Sequence, residues 1–126
     1  MRYTDDAELP EITDQQLEAA LPNTKPYTLV LLRPGPAFER PDDDRSSGVT
    51  QIIWTHGKRN FALREAGIMP IVCPVADGSD LVGIGIFDAD PDDVERIMSR
   101  DPGVLAAVFT YEIHPTRSFP GSALPG

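Results

Sequence analysis

Cysteine is almost missing from this chain: Cys73 stands alone among 126 residues. That excludes an internal disulfide and a thiolate metal cluster. Cys73 lies in an apolar run and reads as a small buried hydrophobe, since a catalytic thiol would want a neighbouring cation. Histidine is nearly as scarce, with only His56 and His114. Metal-ligand spacing is missing with it, so no metal is expected. Basic residues are the minority, 11 against 20 acidic, for a net charge of −9. No basic stripe of the kind that binds nucleic acid is present, and the same deficit disfavours a membrane surface. An anionic ligand would need a local basic spot within this negative field. No apolar run approaches the roughly 20 residues that cross a bilayer. The N-terminus, Met1-Arg2-Tyr3-Thr4-Asp5-Asp6, turns acidic at once without an apolar signal core, so a cytoplasmic protein is expected.

What is present is the pattern of one folded domain with appendages. Residues 1–26 read as an N-terminal extension. In it, Thr13 with Gln16 fits a capping box ahead of a short helix at about 13–21, which Pro22 and Pro26 end. The domain proper covers 27–115, and 116–126 is a tail rich in Pro, Gly and Ser. Its first strand is Tyr27 to Arg33, stopped by Pro34, Gly35 and Pro36. A long polar loop follows over 34–48, either a binding loop or disordered. Its acidic triplet, Asp42 to Asp44, lacks calcium-loop spacing and reads as a solvated charge run. A helix over 49–66 ends at Gly67. A strand over 68–75, a turn at Asp77-Gly78 and a strand over 81–87 form a hairpin. Asp90 caps a second helix with Pro91 at its first position, and Asp101-Pro102-Gly103 ends it. The last strand is expected over 105–113. The order strand, helix, strand, strand, helix, strand is the α+β, ferredoxin-like split βαβ pattern (βαββαβ).

Gly83-Ile84-Gly85 lacks the third glycine and the strand-to-helix context of a dinucleotide fingerprint, and no phosphate loop is present, so no cofactor is expected. The two glycines leave one face of their strand shallow. That serves either close helix packing or the floor of a ligand pocket.

The residue that stands out is His56. It falls on the apolar stripe Ile52, Ile53, His56, Asn60, Leu63 of the first long helix. A polar ring buried there needs a partner, because an unpaired one costs about 1–3 kcal/mol. The split βαβ order puts both helices on one face of the sheet, so Asp101 can approach the middle of the first helix. A carboxylate beside an imidazole fixes its tautomer and frees the other nitrogen to move a proton. The plainer readings stay open: a satisfied core histidine, and a turn aspartate before proline.

From Tyr27 onward the chain resembles the YciI-like family, also called the YCII-related domain. The matching pieces are YTLVLLRPGP at 27–36, His56, FALREAGIMPIVCPV at 61–75, DLVGIGIFDAD at 80–90 and RDPGVLAAVFTYEIHP at 100–115. The resemblance implies the dimeric α/β-barrel type, in which two ferredoxin-like sheets pair in a homodimer. It also implies a His–Asp dyad, carried here by His56 and Asp101. A few relatives look like dehydrochlorinases or isomerase-like lyases. Three departures are visible: Cys73-Pro74 where the family often has Gly-Pro, Gly103 where it often has an aromatic, and 26 N-terminal residues without a counterpart.

The reading that follows is a cofactor-independent enzyme acting on a small organic molecule. His56 is its general acid or base and Asp101 orients the ring. Arg33 and Arg59 are offered as anion contacts, although each also reads as an ordinary surface arginine. Trp54 lies off the His56 stripe and His114 at the start of the tail; neither is placed in the site. The alternative is a non-catalytic module that binds a small molecule or a protein.

Overall fold

A computed structural model describes residues 3–126. Met1 and Arg2, where the expected N-terminal extension begins, lie outside the described residues. The chain divides into two compact units, one of the residues up to Lys25 with Ser118–Gly126, the other Pro26–Arg117. In the first unit, helix α1 spans Asp14–Ala20 and carries the capping box anticipated from Thr13 and Gln16, with both reciprocal hydrogen bonds made. Single 3-10 turns lie at Asp6–Glu8 and Leu21–Asn23.

The second unit holds strand β1 (Lys25–Pro34), helix α2 (Gly48–Glu65), strands β2 (Ile71–Pro74) and β3 (Gly83–Phe87), helix α3 (Pro91–Met98), a one-turn helix α4 (Pro102–Leu105) and strand β4 (Phe109–Ser118), except for the outermost residues Lys25 of β1 and Ser118 of β4. The strands form one antiparallel sheet in the order β2-β3-β1-β4, an α+β architecture compatible with a ferredoxin-like fold. Among the described residues no helix is long and apolar enough to cross a membrane.

Strand alternation decides which side chains meet the helices. In register, Val30 pairs with Gly85 and Gly85 with Val72, while Leu31 pairs with Ile84 and Ile84 with Cys73. Val30, Leu32 and Phe87 point to the helical side and join Met69, Val94, Met98, Val108 and Phe109 in the core. Leu29, Leu31, Arg33, Ile71, Ile84 and Ile86 therefore point to the opposite face of the sheet.

Two elements differ most from the sequence reading. Asp101 does not merely end α3; it is the N-cap of the separate helix α4, accepting from the backbone N–H groups of Gly103 and Val104. The last strand starts at Phe109 rather than at 105, because the chain first completes that helical turn and then passes Ala107 in the left-handed region at φ 60°. It also continues through His114 and Pro115 to Ser118. β4 is an edge strand, where a proline without an N–H can be accommodated.

Candidate functional site

Helix α2 packs against α4, and that contact creates the site. His56 is 7 % exposed and Asp101 1 %. The His56 Nδ1 lies 2.8 Å from one Asp101 carboxylate oxygen and 2.9 Å from the other. Asp101 Oδ2 also accepts from the N–H groups of Gly103 and Val104, at 2.9 and 3.2 Å. One carboxylate thus caps α4 and holds the ring on α2. Burial pushes the Asp101 carboxyl upward. The His56 hydrogen bond and charge, with the two backbone N–H groups, outweigh it and hold the group below the ordinary carboxylate range.

An ionised carboxylate only accepts, so Nδ1 carries the proton. The other nitrogen, Nε2, lies 3.1 Å from Asn60 Nδ2, one turn along α2. With the amide oriented this way, Asn60 donates to Nε2, which is then the basic nitrogen of a neutral ring. Turned over, the same amide would offer its oxygen to a protonated ring. Phe109, at the start of β4, packs on the imidazole with ring centroids 4.7 Å apart.

The ring borders a cavity of about 670 Å³ between α2, the loop after β1 and the β2–β3 side of the sheet. His56 and Asn60 line it and Asp101 does not, so the Nε2 edge is the one presented to the cavity. Most of the lining is apolar, including Val30, Leu32, Phe38, Ile53, Val72 and Val82. Gly83 and Gly85 serve both of the roles left open for them. A Cβ on Gly85 would sit 2.7 Å from the Met69 sulfur, so that glycine admits close packing. Gly83 meets only ordinary contacts and leaves the cavity floor flat.

Gly57 follows His56 on the same cavity wall, and a Cβ there would meet nothing within 4 Å. A glycine inside a helix costs about 1 kcal/mol relative to alanine. Gly57→Ala should therefore raise stability by about 0.5–1 kcal/mol in urea unfolding while narrowing the space beside the ring. An unchanged or lower midpoint would mean that the added methyl group is not free.

The chain matches no known protein-family model and no curated protein.

The four site residues proposed from sequence fare differently. His56 and Asp101 meet directly. Arg59 approaches the same carboxylate, with Nη1 3.7 Å from Asp101 Oδ1, too long for a hydrogen bond. That nitrogen is buried and makes no hydrogen bond among the described residues. Arg59 does not line this cavity; it approaches the dyad from behind and borders a separate, shallower pocket with Ile68, Asp88 and Arg100. Arg33, also offered as an anion contact, points to the other face of the sheet and is paired with Glu112 and Asp80. Strand alternation from Val30 and Leu32 would have placed it there. Trp54 is exposed beneath the Arg45 guanidinium, and His114 is exposed beside Glu112. In the sequence, Asn60 stands out only as part of the His56 stripe. Phe109 and Arg40, which line the cavity, carried no local signal.

Proposed function

We propose that this chain is a cofactor-independent enzyme of lyase or isomerase type that moves a proton on a small organic molecule. His56 Nε2 is the general base, or the acid once protonated, and Asp101 holds the tautomer and balances the imidazolium charge. One observation carries the reading. A buried histidine is clamped through Nδ1 by a carboxylate while its Nε2 edge borders a largely apolar cavity of about 670 Å³. Such a cavity is large enough for a small ligand, and its apolar walls strengthen any charge interaction inside once a ligand excludes water. The resemblance to YciI-like proteins supports the same assignment. It extends to the ferredoxin-like split βαβ topology, with which the order β2-β3-β1-β4 is compatible; separately, we propose a cytoplasmic setting.

The test is a screen of small organic molecules against protein with isotope-labelled histidine. Binding is read from the His56 ring and turnover from the ligand's own signals. An enzyme loses turnover in His56→Ala, by about 10²–10⁴-fold, and retains its ligand affinity. The second reading, a non-catalytic small-molecule binding module, is favoured by Asn60, which already satisfies Nε2. A binding module shows no turnover in the parent protein, and His56→Ala lowers affinity alone.

We also propose a homodimer formed through the sheet face opposite α2. It carries the apolar rows Leu29–Ile86–Ile71 and Leu31–Ile84–Cys73. Ile84→Glu should convert the dimer to a monomer in sedimentation-velocity runs. A parent chain that sediments as a monomer at all concentrations rules out the dimer.

A further inference from the structure

The cavity's charge is at odds with the rest of the chain. The protein carries 20 acidic residues and a net charge of −9, yet no aspartate or glutamate lines this cavity. The permanently charged side chain on its wall is Arg40. Arg33, Arg59, Arg64 and Arg96 each lie within 4 Å of a carboxylate. Arg40 has no ion pair or hydrogen bond among the described residues, though acidic side chains abound nearby in sequence.

Arg40 is exposed, but the backbone on either side of it is held in place. On one side of it, Phe38 packs on Phe109 with ring centroids 6.1 Å apart, and Ala37 donates to the carbonyl of Ala107 at 2.9 Å. On the other side, the Asp42 N–H donates to Thr50 Oγ1 at 2.9 Å, and the Thr50 hydroxyl donates back to Asp42 Oδ1 at 3.0 Å. The loop over 34–48 is thus a structured wall, pinned two residues before and two after Arg40.

We infer that the ligand is a small, mainly apolar monoanion, a carboxylate, whose charge is held by Arg40 and whose apolar body reaches towards His56. The inference rests on the enzymatic or binding site proposed above and adds its ligand class. A guanidinium offers two parallel N–H groups to a carboxylate, a geometry that no neutral isostere reproduces. Within a field of negative charge, an unpaired arginine beside an apolar wall is also the place where an anion loses least on leaving water. The His56 base then acts on the apolar part, away from the anchored charge.

Matched pairs test this: phenylacetate against phenylacetamide, and hexanoate against hexanamide, titrated while the His56 and Arg40 side-chain resonances are followed. The acids should bind about tenfold or more tightly than the amides. Arg40→Gln should bring the acids down to the amides, and Arg40→Lys should restore part of the difference. Equal affinity of acid and amide, or an unchanged acid affinity in Arg40→Gln, overturns the inference but leaves the site reading intact, provided His56 still responds. Binding that leaves the His56 ring unmoved overturns both. No binding by any acid at millimolar concentration also overturns the inference; the turnover screen with His56→Ala then judges the site separately.

Discussion

Asp101→Ala should cost about 2–4 kcal/mol of stability. The sum has two parts: a lost helix N-cap, about 1 kcal/mol, and a buried imidazole nitrogen left without its partner, about 1–3 kcal/mol. The buried Arg59 Nη1 would lose its nearest counter-charge as well. Asp101→Asn separates structure from chemistry. Its side-chain oxygen can still accept from Gly103 and Val104, so the cap survives. Its amide hydrogens, however, would face His56 Nδ1 and drive the ring proton to Nε2, the nitrogen that should act as base. In a serine-protease triad the equivalent exchange lowers kcat by about 10⁴-fold through the wrong tautomer. A comparable loss of turnover, with stability reduced by less than in Asp101→Ala, is expected here. An Asn variant that turns over like the parent would remove Asp101 from any mechanism.

The same carboxylate gives the pH dependence its sign. Its folded pKa is depressed, so the unfolded chain binds the proton first as pH falls. The stability that Asp101 contributes is therefore complete above the unfolded value of about 3.9 and declines as pH drops through the folded one. Urea-unfolding free energies of the parent and Asp101→Asn should run parallel from neutral pH down to about 5 and converge in more acidic solution. A gap that widens on acidification would contradict the depressed value.

How much of this was legible from residues alone varied with the range of the interaction. The strand and helix segments were legible because period-2 and period-3.6 patterns are local, as in Val30/Leu32 and Ile52/His56/Leu63. The capping of α4 was legible too. Asp90-Pro91 and Asp101-Pro102 are the same cap-then-proline signal, although the second also suits the end of the preceding helix. The run Leu105 to Ile113 misled because its apolar residues suit a strand, whereas Leu105 is 73 % exposed on a helical turn. Arg40 and Phe109 had no signal to give. Their importance comes from contacts between the loop, β4 and α2, and a lone arginine in a polar loop looks like any other. Arg33 was the reverse case, since alternation along β1 already pointed it away from the helices.

Gly103→Ala should be the other severe substitution, although it adds a single methyl group. A Cβ at 103 would lie 2.4 and 2.8 Å from carbons of the Phe109 ring and 3.0 Å from Asp101 Oδ2. Phe109 is 5 % exposed and packed on His56, so the ring has nowhere to retreat without displacing the imidazole. Overpacking of this kind costs about 1–3 kcal/mol. The damage should also reach the dyad: the Nδ1–H resonance of His56, held by two carboxylate oxygens in the parent, should broaden or shift. Here the aromatic surface against the histidine comes from Phe109 on β4, and Gly103 leaves the room for it. Removing the obstacle should undo the harm. Gly103→Ala combined with Phe109→Leu should be less destabilised than the sum of the two single variants by about 1 kcal/mol or more, since the two positions are in direct contact. Strict additivity would mean that the glycine is required for some reason other than the ring, and that the packing of Phe109 on His56 does not depend on it.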